Sequence, residues 1–129
     1  MDRKKVLIIE DDDKLLNIYS ELLASKSLSE EYEGTYLNHH KEEATKYKDV
    51  EFDLIICDGL EGRCFDMLGS VNAKRKVILR GSKDIVDEAQ KKGIEVYLKG
   101  ESLIRIITGQ DVIEYLAQRE QEQREQQEA

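Results

Sequence analysis

Four short apolar runs in this sequence each give way to groups that could do chemistry together. Val6-Leu7-Ile8-Ile9 is followed by Glu10-Asp11-Asp12-Asp13, and Phe52-Asp53-Leu54-Ile55-Ile56-Cys57 by Asp58-Gly59. Val77-Ile78-Leu79 leads into Arg80-Gly81-Ser82, and Val96-Tyr97-Leu98 into Lys99. Were these runs neighbouring strands, three carboxylates, a hydroxyl and a lysine would converge on one crevice. Crowded carboxylates repel one another and cost free energy unless something neutralises them. A hard divalent cation with oxygen ligands does so, and Mg²⁺ suits an open, partly hydrated carboxylate site. That ion could neutralise an incoming phosphoryl group while Asp58 attacks it as a carboxylate nucleophile. Lys99 would then pair with the phosphoryl oxygens, and Ser82 would supply a hydrogen bond.

The elements that must position these groups follow from hydrophobic periodicity. The β-branched run at 6–9 reads as a strand buried on both faces. Asp12 or Asp13 can cap the helix that follows, in which Leu15, Leu16, Ile18, Tyr19, Leu22 and Leu23 keep three- and four-residue spacing on one face. Thr35-Tyr36-Leu37 predicts a weaker second strand, and residues 41–48 a short helix with Ala44 and Tyr47 inward. Residues 52–57 form a third strand, and 62–70 a short helix carrying Phe65, Met67 and Leu68. After the fourth strand, Ser82 caps a helix through Lys92, with Ile85, Val86 and Ala89 inward and Gly93 as its stop. Ser102 opens a last helical stretch with Leu103, Ile104, Ile106 and Ile107. Gly109 and the pair Thr108 and Asp111 make this stretch two helices or one bent one. Strict β-α alternation with short connections predicts an α/β, doubly wound, five-stranded parallel sheet with helices on both faces. Function in such a sheet gathers at the carboxyl ends of its strands, where strand order reverses.

Composition bounds the rest. The 129 residues fit one domain, residues 1–117, and are 40% hydrophobic and 37% charged, as for a soluble globular protein. Residues 118–129 hold only Gln, Glu, Arg and a final Ala, which predicts a polar helix extension or a disordered tail without a coiled-coil heptad. A net charge of −8 argues against a broad nucleic-acid surface, although Lys74-Arg75-Lys76 leaves room for a small basic patch on a solvated loop. No apolar run nears the roughly 20 residues that span a bilayer, and residues 1–5 resemble no secretory leader. Cys57 and Cys64 match neither a disulfide framework nor a common zinc spacing, so a reduced, cytoplasmic setting is expected. Cys57 reads as a small core residue, His39 and His40 as surface histidines, and Tyr36, Tyr97 and Tyr115 as packing residues.

With these residues in view, the chain resembles a response-regulator receiver domain of two-component signalling. The likeness lies in VLIIEDD at 6–12, FDLIICDG at 52–59, KVILRGS at 76–82 and GIEVYLKG at 93–100, in the family's order and over roughly residues 3–108. The resemblance implies a flavodoxin-like sheet of strand order 2-1-3-4-5. It also implies Glu10 and Asp11 as the Mg²⁺-holding acids, Asp58 as phosphoacceptor, the Leu60 backbone carbonyl as a further metal ligand, and Lys99 as the conserved lysine. A histidine kinase or phosphotransfer protein would donate the phosphoryl group, and an output protein or a homodimer through the last strand and helices would read it. The chain departs from the family pattern in places. Gly81 stands where the switch Thr or Ser falls, with Ser82 next to it. Prolines are absent, Gly100 follows the lysine, Val96 holds the switch-aromatic position with Tyr97 beside it, and the segment before the fourth strand is short.

Three functions compete. The first is a stand-alone phosphoacceptor receiver, not a conventional enzyme, that catalyses only its own phosphorylation and dephosphorylation. The second is a degenerate receiver that binds or dimerises without phosphorylation. The third, a Mg²⁺-dependent phosphohydrolase using Asp11 and Asp13 as a D-x-D pair, lacks room for a cap domain, and Asp58 lies on another strand.

Overall fold

Val6, Leu7, Ile8 and Ile9 lose essentially all contact with solvent, as an unbroken aliphatic run requires of a central strand. The computed structural model describes residues 3–38, 46–58, 64–80, 84–98, 101–110 and 112–128. Strand β1 (Lys4–Ile9) leads into helix α1 (Asp13–Leu23), a single turn α2 (Lys26–Ser29) and strand β2 (Tyr32–Leu37). Strand β3 (Glu51–Asp58), helix α3 (Cys64–Gly69), strand β4 (Asn72–Arg80), helix α4 (Asp84–Lys91) and strand β5 (Glu95–Leu98) follow. Helices α5 (Leu103–Thr108) and α6 (Val112–Glu128) close the chain.

The five strands form one parallel sheet in the order β2-β1-β3-β4-β5. With its flanking helices this is the doubly wound α/β fold expected from the alternation of elements, in the flavodoxin-like order that the resemblance implies. Order reverses between β1 and β3, because β2 pairs with the outer side of β1 while β3 takes the inner side. One core gathers Leu7, Ile9, Ile55, Cys57 and Ile78 from the sheet with Leu68 of α3 and Ile85 and Ala89 of α4. Val6, Ile8, Ile56 and Val77 are buried as completely, so the sheet is covered on both faces. Each fully buried aliphatic side chain contributes about 1.5–3 kcal/mol relative to exposure.

The chain divides into two compact units, Met1–Lys99 and Gly100–Ala129. In the first, Asp12 caps α1, its carboxylate accepting from the Lys14 and Leu15 N–H groups. Gly93 ends the α4 region with φ +70°, which a residue bearing a Cβ adopts only with strain. In the second unit, Ser102 caps α5 by accepting from the Arg105 N–H, and Leu103, Ile104, Ile106 and Ile107 are buried. Gly109 at φ +78° separates α5 from α6, so the last helical stretch is two helices. Thr108 Oγ1 donates to the Ile104 carbonyl at 2.7 Å and accepts from the Gln110 N–H at 3.1 Å.

Several sequence expectations need correction. Ile18 is 56% exposed, because it lies at the edge of the α1 stripe away from Leu16 and Leu23. Residues 46–49 form turns rather than the end of a helix, although Tyr47 still packs against the core beside Phe52, ring centroids 6.0 Å apart; residues 39–45 lie outside the described residues. Helix α3 is described over Cys64–Gly69, with residue 70 already a turn; residues 59–63, where the expected helix would begin, lie outside the described residues. Lys74, Arg75 and Lys76 lie within β4, not on a loop, and each is engaged. Lys74 is 3.6 Å from Asp53, Arg75 pairs with Glu95, and Lys76 Nζ donates to the Leu68 carbonyl at 3.1 Å.

Candidate metal and phosphoryl site

Ile9 of β1 pairs with Cys57 of β3, so the residues after them, Glu10 and Asp58, emerge side by side where strand order reverses. The Glu10 N–H extends the ladder toward β2 by donating to the Leu37 carbonyl at 3.1 Å. Asp58 is still within β3, opposite Leu79 of β4, and its carbonyl accepts from Cys57 Sγ at 3.2 Å. Neither acid is at the protein surface: Glu10 is 1% and Asp58 6% exposed. Asp11, one step further along the β1–α1 loop, is exposed.

These three carboxylates come together. One oxygen from each lies within 4.8 Å of the others, and Glu10 Oε1 also accepts from the Asp12 N–H at 3.2 Å. Burying like charges so close is costly unless a cation neutralises them. The donor set is all carboxylate oxygen, with two buried members and one exposed. That fits a hard divalent ion which keeps part of its water shell, as Mg²⁺ does. The acidic triad could thus hold a metal ion, at the place where a receiver binds Mg²⁺.

The other site residues expected from the sequence, Leu60, Ser82 and Lys99, lie outside the described residues, as does Gly81. The described strand ends that precede them do align: Asp58 pairs with Leu79, and Arg80 with Leu98. Cys57 is fully buried, as a core residue should be.

Sequence reasoning missed a polar cluster on β4 and β5. Arg75 Nε binds Glu95 Oε2, Arg75 Nη2 donates to Glu95 Oε1 at 2.8 Å, and the Tyr97 hydroxyl donates to Glu95 Oε1 at 3.2 Å. The bond from Arg75 holds the Glu95 carboxyl below the usual carboxylate range, and that same bond pushes the guanidinium further up. Tyr97 is therefore a polar partner as well as a packing residue. The signal was available in the alternation Ala73, Arg75, Val77, Leu79, which places Arg75 on the face that carries Glu95 and Tyr97 in the parallel register. Among the described residues no helix is long and apolar enough to cross a membrane.

No protein-family model matches the chain, and no curated protein matches it in sequence. Solved structures do match. A pilus assembly protein CpaE from Caulobacter crescentus CB15 superposes with a TM-score of 0.59 at 15% identity, covering 81% of this chain and 88% of that one. A protein described as the CpaE2 pilus assembly protein of Sinorhizobium meliloti 1021 superposes with a TM-score of 0.52 at 14% identity, covering 73% and 85%. What this chain shares with them is the fold, a receiver-like parallel sheet.

Proposed function

We propose that this chain is a phosphoacceptor switch on a receiver-like fold, with Asp58 as the residue that takes the phosphoryl group. The observation that carries this reading is the meeting of Glu10, Asp11 and Asp58 within 4.8 Å at the reversal of strand order. Glu10, Asp11, Asp58 and the Leu60 carbonyl would hold Mg²⁺, which when bound neutralises the acids and the phosphoryl oxygens. An oxygen of Asp58 forms the bond to phosphorus as the donor's own bond to phosphorus breaks, and the leaving group departs with that electron pair. Lys99 would face the phosphoryl oxygens, and Ser82 would hydrogen-bond to them. The donor would be a histidine kinase or phosphotransfer protein, and the readout a contact with another protein or a second copy. On this reading residues 1–117 are the receiver module and 118–129 its polar extension. The protein is no enzyme beyond catalysing its own phosphorylation and dephosphorylation.

The test is intact mass after incubation with acetyl phosphate and Mg²⁺, beside Asp58→Asn and a metal-free control. One metal-dependent phosphoryl adduct per chain, absent from Asp58→Asn, supports the proposal. No adduct together with no Mg²⁺ binding sinks it.

A second reading, a receiver-like module that binds a partner without phosphorylation, is favoured by two observations. Gly81 occupies the position at which the family carries its switch hydroxyl, and the solved structures of similar fold are named as pilus assembly proteins. On that reading the chain is a docking part of an assembly, and Asp58→Asn binds its partner as well as wild type.

A further inference from the structure

The loop that carries the exposed member of the acidic triad is fastened to β2 on both sides. On its near side the Glu10 N–H donates to the Leu37 carbonyl at 3.1 Å. On its far side the next residue of that strand end, Asn38, donates from Nδ2 to Asp13 Oδ1 at 3.0 Å. Between these two fastenings, the Asp12 N–H donates to Glu10 Oε1 and the Asp12 carboxylate caps α1. Asp11, the exposed member of the triad, lies on this same loop. A hydrogen bond from an amide to a carboxylate is charge-assisted and stronger than a neutral one. Here it joins segments 25 positions apart in sequence.

We infer that Asn38 is a positioning residue for the metal cluster. It holds Asp13, and through Asp13 the entry to α1, so that Asp11 is presented to the same point as Glu10 and Asp58. Asn38 is not one of the three acids of the triad; its action is on the backbone that carries Asp11. The inference rests on the metal-binding reading of the preceding subsection. Groups that orient a ligand raise metal affinity, because a ligand that must be reordered on binding binds less well; Asn38 acts one step further out, through Asp13 and the backbone of the loop.

The test is a calorimetric Mg²⁺ titration of wild type, Asn38→Ala, Asp13→Ala and the double variant, with urea unfolding of each in a chelator. Asn38→Ala should weaken Mg²⁺ binding roughly tenfold, the low end for loss of an outer partner. In the Asp13→Ala background the same change should have no further effect, since both remove one bond. Unaltered Mg²⁺ affinity in Asn38→Ala, even with lowered stability, overturns the inference, and so do equal losses in both backgrounds. Should Asn38→Ala not fold, Asn38→Ser shortens the side chain out of reach of Asp13 while keeping it polar. A wild type that binds no Mg²⁺ overturns the metal reading itself, whereas binding by wild type with no effect at Asn38 overturns only the positioning role.

Discussion

Ile9 and Cys57 are partners in the parallel ladder between β1 and β3, and both are completely buried. Their pairing fixes the separation of the acids that follow. Glu10 and Asp58 cannot drift apart without breaking hydrogen bonds buried in the middle of the sheet.

The acids should therefore destabilise the metal-free protein. We expect Asp58→Asn to raise stability in chelator by about 1–2 kcal/mol, since it removes one of two buried like charges. Wild type should gain about 2.7 kcal/mol from Mg²⁺ at a hundred times its Kd, and Asp58→Asn much less. Urea unfolding with and without the ion measures both.

Glu95 gives a pH dependence of defined sign. Arg75 lowers its folded-state carboxyl, so the stability it contributes is present above the unfolded carboxylate value near 4.5. That stability is lost as pH falls through the lower folded value. The pair is partly exposed, side chains 33% and 42% accessible, so screening limits it to about 1 kcal/mol. Glu95→Gln should have a lower urea midpoint than wild type at neutral pH, and the two curves should converge in acid.

Gly34 is needed for Tyr36. A Cβ at position 34 would overlap the Tyr36 phenol oxygen, which lies across the bare glycine on the same face of β2. Burial raises the Tyr36 hydroxyl above its ordinary value. We expect Gly34→Ala to swing the ring outward and bring that ionisation back toward the ordinary tyrosine range, at little cost in stability because the far end of a half-buried side chain is what must move. Ultraviolet titration of the variant, with Tyr36→Phe identifying the signal, checks this.

The far end of α6 should exchange fast. Gln118, Glu120, Gln121, Gln123, Arg124 and Glu125 are all exposed, and the stabilising contacts are one-turn pairs such as Arg124–Glu120 at 3.3 Å and Gln121 to Glu125 at 3.3 Å. Such pairs contribute only about 0.2–0.5 kcal/mol each. Amides of 118–128 should exchange orders of magnitude faster than those of β1 and β3, as hydrogen exchange read by mass spectrometry would show.

The sequence revealed the fold wherever burial wrote a pattern. The aliphatic runs of β1 and β3 located the central strands, and Gly93, Ser102 and Gly109 marked helix ends because each meets a local backbone need. It failed where charge hid structure. Three consecutive cations disguised the first half of β4, because nothing in the residues alone showed that Asp53, Glu95 and the Leu68 carbonyl would receive them. The single turn α2 is too short to carry a period, and Ile18 fits the α1 stripe by spacing yet misses the packed side. For the site, Glu10, Asp11 and Asp58 were legible because each stands at the carboxyl end of an aliphatic run. The Arg75–Glu95–Tyr97 cluster was legible only in part, since alternation put Arg75 on one face of its strand but its partners depend on register between two strands.

The floor beneath the three acids consists of Ile9, Cys57 and their neighbours, packed to the density of a solid. A solid floor does not bend. Whatever a ligand does at Glu10 and Asp58 must therefore appear as movement at the rim, of which Asp11 and the entry to α1 are the described part. On the proposed reading, a charge added at the centre would be felt at that margin rather than in the floor.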